Sequence, residues 1–185
     1  MIRAAGEVSG RRRLIILGSQ SILGQFPTVA ESFPKADHSE ISFVARQCQV
    51  LFRSLEVDIL FKDTEEASDL VEAVLGELSN FHDTFGYYAQ AVDFTTSTLP
   101  DGWEHRLIEI CNWNTNYISG MCLEIHDLLV SKLYAGRIKD IEFFHAAVAI
   151  GLVSHKVLLE RLGKTPLDVK SKERIAASIQ KGFSQ

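Results

Sequence analysis

Four branched aliphatic residues in a row, Leu14 to Leu17, follow a polar start and stop at Gly18-Ser19. A continuous apolar run bounded by glycine predicts a fully buried strand over residues 13–17. The preceding residues 1–12 read as a polar, frayed end. Residues 20–26 suit a short helix, and residues 35–39 suit a loop. Residues 40–50 lean towards a helix leading into the next strand. Strict alternation sets in at 55–61, with Leu55, Val57 and Ile59 on one face and Glu56, Asp58 and Leu60 on the other. Residues 64–78 predict a helix, with acids in the first turn where the dipole favours them. Leu70, Val71, Val74, Leu75 and Leu78 form its apolar stripe.

Further along, residues 86–94, 105–111 and 117–124 read as strands, and Leu99-Pro100-Asp101-Gly102-Trp103 reads as a turn. From Asp127 onward the period becomes helical, over 127–135, 139–150, 154–162 and 167–182. The fold class is therefore α+β: a small mixed sheet flanked by helices, with a helical C-terminal part. The expected organisation is a flexible stretch over 1–12, an α/β core over 13–124 and a helical part over 125–185 packed on that core. Residues 35–52 read as an insertion. No repeat or low-complexity stretch interrupts this order.

Composition narrows the function classes. The chain has 185 residues, 46% of them hydrophobic, enough for a sizeable core. A net charge of −5 speaks against a broad grip on duplex DNA, although Arg11 to Arg13 could form a local patch for tRNA. No apolar run is long enough for a membrane span or a secretory signal. Cys48, Cys111 and Cys122 are odd in number and lack a CxxC pair, which suits a reduced, cytoplasmic protein. No zinc spacing and no P-loop is present.

Two local features carry chemistry. Gly18 at a strand end allows close backbone approach to a ligand, and Ser19 adds a hydroxyl beside a helix start, where phosphates bind. Glu56 and Asp58 project from the same side of one strand, and a divalent cation would relieve their repulsion. Each feature also has a plain reading, the first as a turn with an N-cap and the second as a solvated strand face.

In combination, strand, Gly-Ser, helix and acid-x-acid strand resemble the polymerase-β-like nucleotidyltransferases. Gly18-Ser19-Gln20-Ser21-Ile22 is similar to their glycine-serine motif, and Ser54-Leu55-Glu56-Val57-Asp58 to their acid-x-acid motif, with Glu56 where the superfamily pattern has Asp. The most specific match is residues 127–140, including Lys132, Gly136, Arg137, Lys139 and Asp140. It resembles the signature of a bacterial family of uncharacterised nucleotidyltransferases related to abortive-infection toxins of the AbiEii type. Residues 79–88 and 99–107 support it.

That resemblance implies transfer of a nucleoside monophosphate from a nucleoside triphosphate to an RNA, protein or small-molecule acceptor, with Mg2+ or Mn2+. Gly18 and Ser19 would hold phosphates, Glu56 and Asp58 would bind metal, and Asp93 would be the third carboxylate. Lys132, Arg137 and Asp140 would belong to the nucleotide site. A tRNA or protein acceptor and an antitoxin-type protein partner follow from the resemblance alone. The alternative is a non-catalytic nucleotide- or partner-binding module on the same fold.

Plainer readings accompany these residues. Asp127 and Asp140 stand at predicted helix starts, where N-capping would explain them. Lys132 could be solvated, and Trp103 with Arg106 could be a packing anchor. His105, His126-Asp127 and Asp140 suggest a histidine-aspartate phosphohydrolase, but that fold is helical and His105 falls in a predicted strand.

Overall fold

Short branched strands bury their side chains only when neighbours pair on both sides, and the Leu14–Leu17 run sits centrally for that reason. The computed structural model describes residues 1–27, 43–61 and 65–184. Within it, β1 (Arg13–Ile16) lies between β2 (Glu56–Leu60) and β5 (Ser119–Cys122). β3 (Tyr88–Val92) and β4 (Ile108–Ile110) complete a sheet of order β3-β2-β1-β5-β4. β1 runs parallel to β5 and antiparallel to β2, β2 runs parallel to β3, and β4 runs antiparallel to β5. The architecture is α+β, a five-stranded mixed sheet with helices.

The chain divides into two compact units. The first comprises Met1–Gln25, Ser54–Thr96 and Leu107–Leu123. Leu14, Ile16, Val57, Ile59, Ala89 and Cys122 form one apolar face of its sheet. That face packs with Ala5 of α1 (Ile2–Ser9) and with Val71 and Leu75 of α2 (Glu65–Leu75). Residues 1–12 are thus not a frayed end: Ile2, Ala5 and Val8 give α1 an apolar face, and Gly10 caps it in the left-handed conformation. The α2 stripe also differs from the expected one. Ala67, Val71 and Leu75 are buried, whereas Leu70, Val74 and Leu78 are exposed. Two apolar stripes lie side by side on this helix, and packing selects the one led by the small Ala67. A short helix, α3 (Asn80–Phe85), precedes β3, with the Ser79 side chain accepting from the His82 N–H.

The second unit comprises Phe26–Arg53, Ser97–Arg106 and Glu124–Gln185. Its helices are α4 (Phe43–Phe52), α5 (Ile125–Ala135), α6 (Ile138–Ala149), α7 (His155–Gly163) and α8 (Val169–Phe183). α4 precedes β2 in the chain, at the place where residues 40–50 lean helical. Leu129, Leu133, Phe144, Leu158, Ile175 and Ile179 are fully or almost fully buried. Ser154 and Asp168 cap α7 and α8 with their side chains. The Arg174 guanidinium donates to the carbonyls of Leu133 and Tyr134, satisfying the last turn of α5. The expected loop at 35–39, and the 35–42 part of the expected insertion, lie outside the described residues. Among the described residues, no helix is long and apolar enough to cross a membrane.

Candidate active site

β1 leaves the sheet at Gly18, and its backbone there (φ 60, ψ −170) is a conformation that side chains disfavour. The neighbouring carboxylate imposes a second demand. A Cβ at position 18 would lie 1.6 Å from Asp58 Oδ2, so Asp58 packs directly on the glycine Cα. The Leu17 N–H donates to the Asp58 carbonyl at 2.9 Å, which sets this approach. Ser19 then opens the 3-10 turn Ser19–Gly24. Buried Ser21 donates from its hydroxyl to the Gly18 carbonyl at 2.8 Å, and the Gln20 side-chain amide donates to the Ser54 carbonyl at the foot of β2. The Gly-Ser turn is thereby tied to the strand that bears the acids.

On β2, Val57 and Ile59 face the helix-covered core while half-buried Glu56 and Asp58 face the other way. In the parallel register with β3, Tyr88 stands beside Glu56 and Gln90 beside Asp58. Burial raises the Tyr88 phenol above its ordinary value, and the charges of Glu56, Glu77 and Asp58 raise it further. The His82 and Tyr88 rings lie 4.8 Å apart between centroids. Tyr88 and Gln90 are the neighbours that sequence reasoning missed. Their positions in an alternating strand were visible, but their partners depend on register.

Asp93 lies one residue past β3. Its carboxylate accepts from the Thr95 N–H at 2.6 Å and the Thr95 hydroxyl at 2.5 Å. The Thr95 hydroxyl bond, followed by the N–H bond, holds this exposed carboxyl below its ordinary value. The residue paired with Asp58 on β3 is Gln90, and Asp93 closes a loop of its own. Among the described residues, no group of three His, Cys, Asp or Glu side chains is placed to hold a metal ion.

The second unit assembles Lys132, Arg137 and Asp140 at the α5–α6 corner. Asp140 is fully buried and accepts from Lys132 Nζ at 3.0 Å and Arg137 Nε at 2.7 Å. Lys132 is itself buried and sits 4.8 Å from the centre of the Phe143 ring. Burial pushes the Asp140 carboxyl up, but Arg137 and Lys132 together outweigh it and the net shift is downward. Asp140 does not cap α6, whose N-cap is Arg137 without a side-chain bond. Nor is Lys132 simply solvated.

Asp127 is not a cap either. Glu124 caps α5, accepting from the N–H groups of His126 and Asp127. The fully buried Asp127 accepts two bonds from Arg106, 2.8 Å from Nε and 3.1 Å from an amino group, and Arg161 Nε lies 3.3 Å away. Burial still raises the Asp127 carboxyl, with Arg106 opposing it. His126 Nδ1 lies 2.6 Å from Glu124, and its Nε2 accepts from the Ser154 N–H. His105 lies in the 3-10 turn Trp103–Arg106 rather than in a strand. The histidine-aspartate reading nonetheless gains nothing, because His126, Asp127 and Asp140 are engaged in separate polar contacts.

The first unit therefore brings together Gly18, Ser19, Glu56 and Asp58, and the second brings together Lys132, Arg137 and Asp140. Comparison with known proteins bears on what these arrangements serve. No curated protein and no solved structure matches the chain significantly. A family model does match, over residues 2–181, and on that near-complete span the chain belongs to the family described as nucleotidyltransferase of unknown function (DUF6036).

Proposed function

We propose that this chain is a metal-dependent nucleotidyltransferase that moves a nucleoside monophosphate from a nucleoside triphosphate to an RNA, protein or small-molecule acceptor. The observation that carries the reading is the packing of the Asp58 carboxylate on Gly18, with Glu56 on the same side of β2. It places acidic oxygens against the Gly-Ser turn, where a cation bound to a phosphate would meet the turn's Ser19 hydroxyl. The donor set fits a hard cation. Magnesium commonly uses one or two carboxylates and takes its remaining ligands from phosphates and water. Glu56 and Asp58 would hold Mg2+ or Mn2+, and the ion would offset phosphate charge as the donor is cleaved.

The chain's own residues have distinct roles in this reading. Gly18 lets the Asp58 carboxylate pack against the turn, and the Ser19 hydroxyl would donate to a phosphate. Gln20 fixes the turn against β2. Tyr88 limits water beside Glu56 and presents a protonated phenol. Lys132 and Arg137, both bound to Asp140 within the second unit, would serve nucleotide binding as the family resemblance implies. A toxin-type activity with an antitoxin-type protein partner, a tRNA acceptor and a cytoplasmic location belong to the same proposal and rest on the family resemblance.

The alternative is a nucleotide-binding module without turnover, and Gln90 favours it. An amide stands beside Asp58 where a third carboxylate would accept the proton of an attacking hydroxyl. Incubation with each α-labelled nucleoside triphosphate, Mg2+ and total RNA or cell protein separates the two. Label transfer that is absent in Asp58→Asn supports the enzyme. Magnesium-dependent binding without transfer supports the module.

A further inference from the structure

The sheet unit contains a cavity of about 670 Å³ on the sheet face opposite Glu56 and Asp58. Ile16, Val57 and Cys122 form its floor, each less than a tenth exposed. Leu55 and Phe85 stand at its mouth, 54% and 58% exposed. Arg3 lines the same space with a side chain 61% exposed, which places its guanidinium at the rim. Burial pushes the Cys122 thiol up to about 12, so the floor presents a neutral S–H.

These features define a ligand. The volume lies within the range of about 300–1,000 Å³ that takes a small organic molecule. The floor and the mouth are both apolar, so a ligand's body would cover Leu55 and Phe85 as well as reach Ile16 and Val57. Arg3 is the charged side chain among the lining residues, and the Met1 α-amino group, its pKa lowered by burial, is a second cation there. Its Nε is bound to Glu7 at 3.1 Å, and its terminal amino groups remain as donors at the rim. A guanidinium fork matches a carboxylate better than it matches a neutral hydroxyl.

We propose that this cavity binds a small amphipathic carboxylic acid, its aliphatic body on Ile16, Val57 and Cys122 and its carboxylate at Arg3. Strand alternation puts this site on the far side of β2 from the two acids, so it is separate from the proposed metal site. It still touches the Gly-Ser turn through Gln20, which lines the cavity and anchors that turn to Ser54. The assignment does not depend on nucleotide binding.

The test titrates the full chain with 11-(dansylamino)undecanoic acid and follows dansyl emission, then competes it with dodecanoate and with dodecanol. The expected result is one saturable site from which dodecanoate displaces the probe better than dodecanol does. Leu55→Asp and Phe85→Asp abolish binding, and Arg3→Glu weakens it about tenfold. All three positions are exposed, so the variants should fold. Independently of any variant, dodecanoate should raise the melting temperature of the wild-type chain. The proposal is overturned by non-saturable binding, by Leu55→Asp or Arg3→Glu binding like wild type, by equal displacement by dodecanol, or by no melting shift with dodecanoate.

Discussion

Replacing Gly18 by alanine tests the link between backbone and carboxylate on which the site is built. The substitution acts in two ways that can be weighed separately. The backbone at φ 60, ψ −170 lies in a region essentially reserved for glycine, and holding alanine there costs about 1–3 kcal/mol. The new methyl would meet Asp58 Oδ2 at 1.6 Å and Asp58 Cγ at 2.7 Å. The carboxylate must therefore leave its rotamer, which adds about 0.5–1.5 kcal/mol. The sum, about 1.5–4.5 kcal/mol, corresponds to a fall in melting temperature of roughly 3–18 °C for a chain of this size.

Gly10→Ala is the control. It has a similar φ of +67 with nothing within 4 Å of the added Cβ, so it should cost only about 1 kcal/mol. Combining Gly18→Ala with Asp58→Ala should recover part of the loss, a coupling of about 1 kcal/mol, because the clashing oxygens are gone. Thermal melts followed by circular dichroism compare wild type with Gly18→Ala, Gly10→Ala, Asp58→Ala and the double variant. Equal melting of Gly18→Ala and Gly10→Ala, or strict additivity with Asp58→Ala, would refute the proposed contact.

Other expectations follow from the same structure. Asp127→Asn weakens the hydrogen bonds that the fully buried carboxylate accepts from half-buried Arg106, and should lower stability in urea by about 1–3 kcal/mol. Asp140 is held below its ordinary 3.8, so in the native state it stays ionised to lower pH than in the unfolded chain. Its contribution is therefore fully present above that value and is lost as pH falls through the lower native one. In melts below pH 4, Asp140→Asn should show a shallower acid-induced loss than wild type. Asp127 is shifted the other way, so its contribution declines as pH rises above 3.8. Leu78 is 85% exposed at φ 63, so Leu78→Gly should raise the urea midpoint, by up to about 1 kcal/mol of stability.

The helices of the second unit were the most legible part of the fold. Residues 127–135, 139–150, 154–162 and 167–182 are predicted helical, and the helices span Ile125–Ala135, Ile138–Ala149, His155–Gly163 and Val169–Phe183. Each has a period near 3.6, and α5, α7 and α8 also carry capping side chains at their starts, information that is local. The face of α2 is legible only in part: Val71 and Leu75 of the expected stripe are buried, but Leu70-Val74-Leu78 and Ala67-Val71-Leu75 both satisfy the helical period. Choosing between them requires knowing which stripe meets the sheet. α1 was missed because its apolar positions are few and its burial comes from packing on distant strands.

Legibility of the candidate site divides in the same way. Gly18, Ser19, Glu56 and Asp58 stand out in sequence because a strand end and a two-residue period are local patterns. The packing of Asp58 on Gly18 is a tertiary fact, set by the β1–β2 pairing. Asp93 was a natural guess for a third carboxylate at the end of a strand. The β2–β3 register instead puts Tyr88 and Gln90 beside the acids, while Thr95 engages Asp93. The Arg106–Asp127 pair spans 21 residues and joins a turn to a helix, so no spacing rule signals it.

The central claim is that Glu56 and Asp58 serve a metal-bound nucleotide beside Gly18. Calorimetric titration with each of the four nucleoside triphosphates, with Mg2+ and with EDTA, addresses it most directly when wild type is run beside Asp58→Asn. The account predicts saturable binding of at least one nucleotide that requires Mg2+ and is lost in the variant. Binding unchanged by EDTA or by Asp58→Asn, or no binding of any nucleotide by folded wild type, would contradict it.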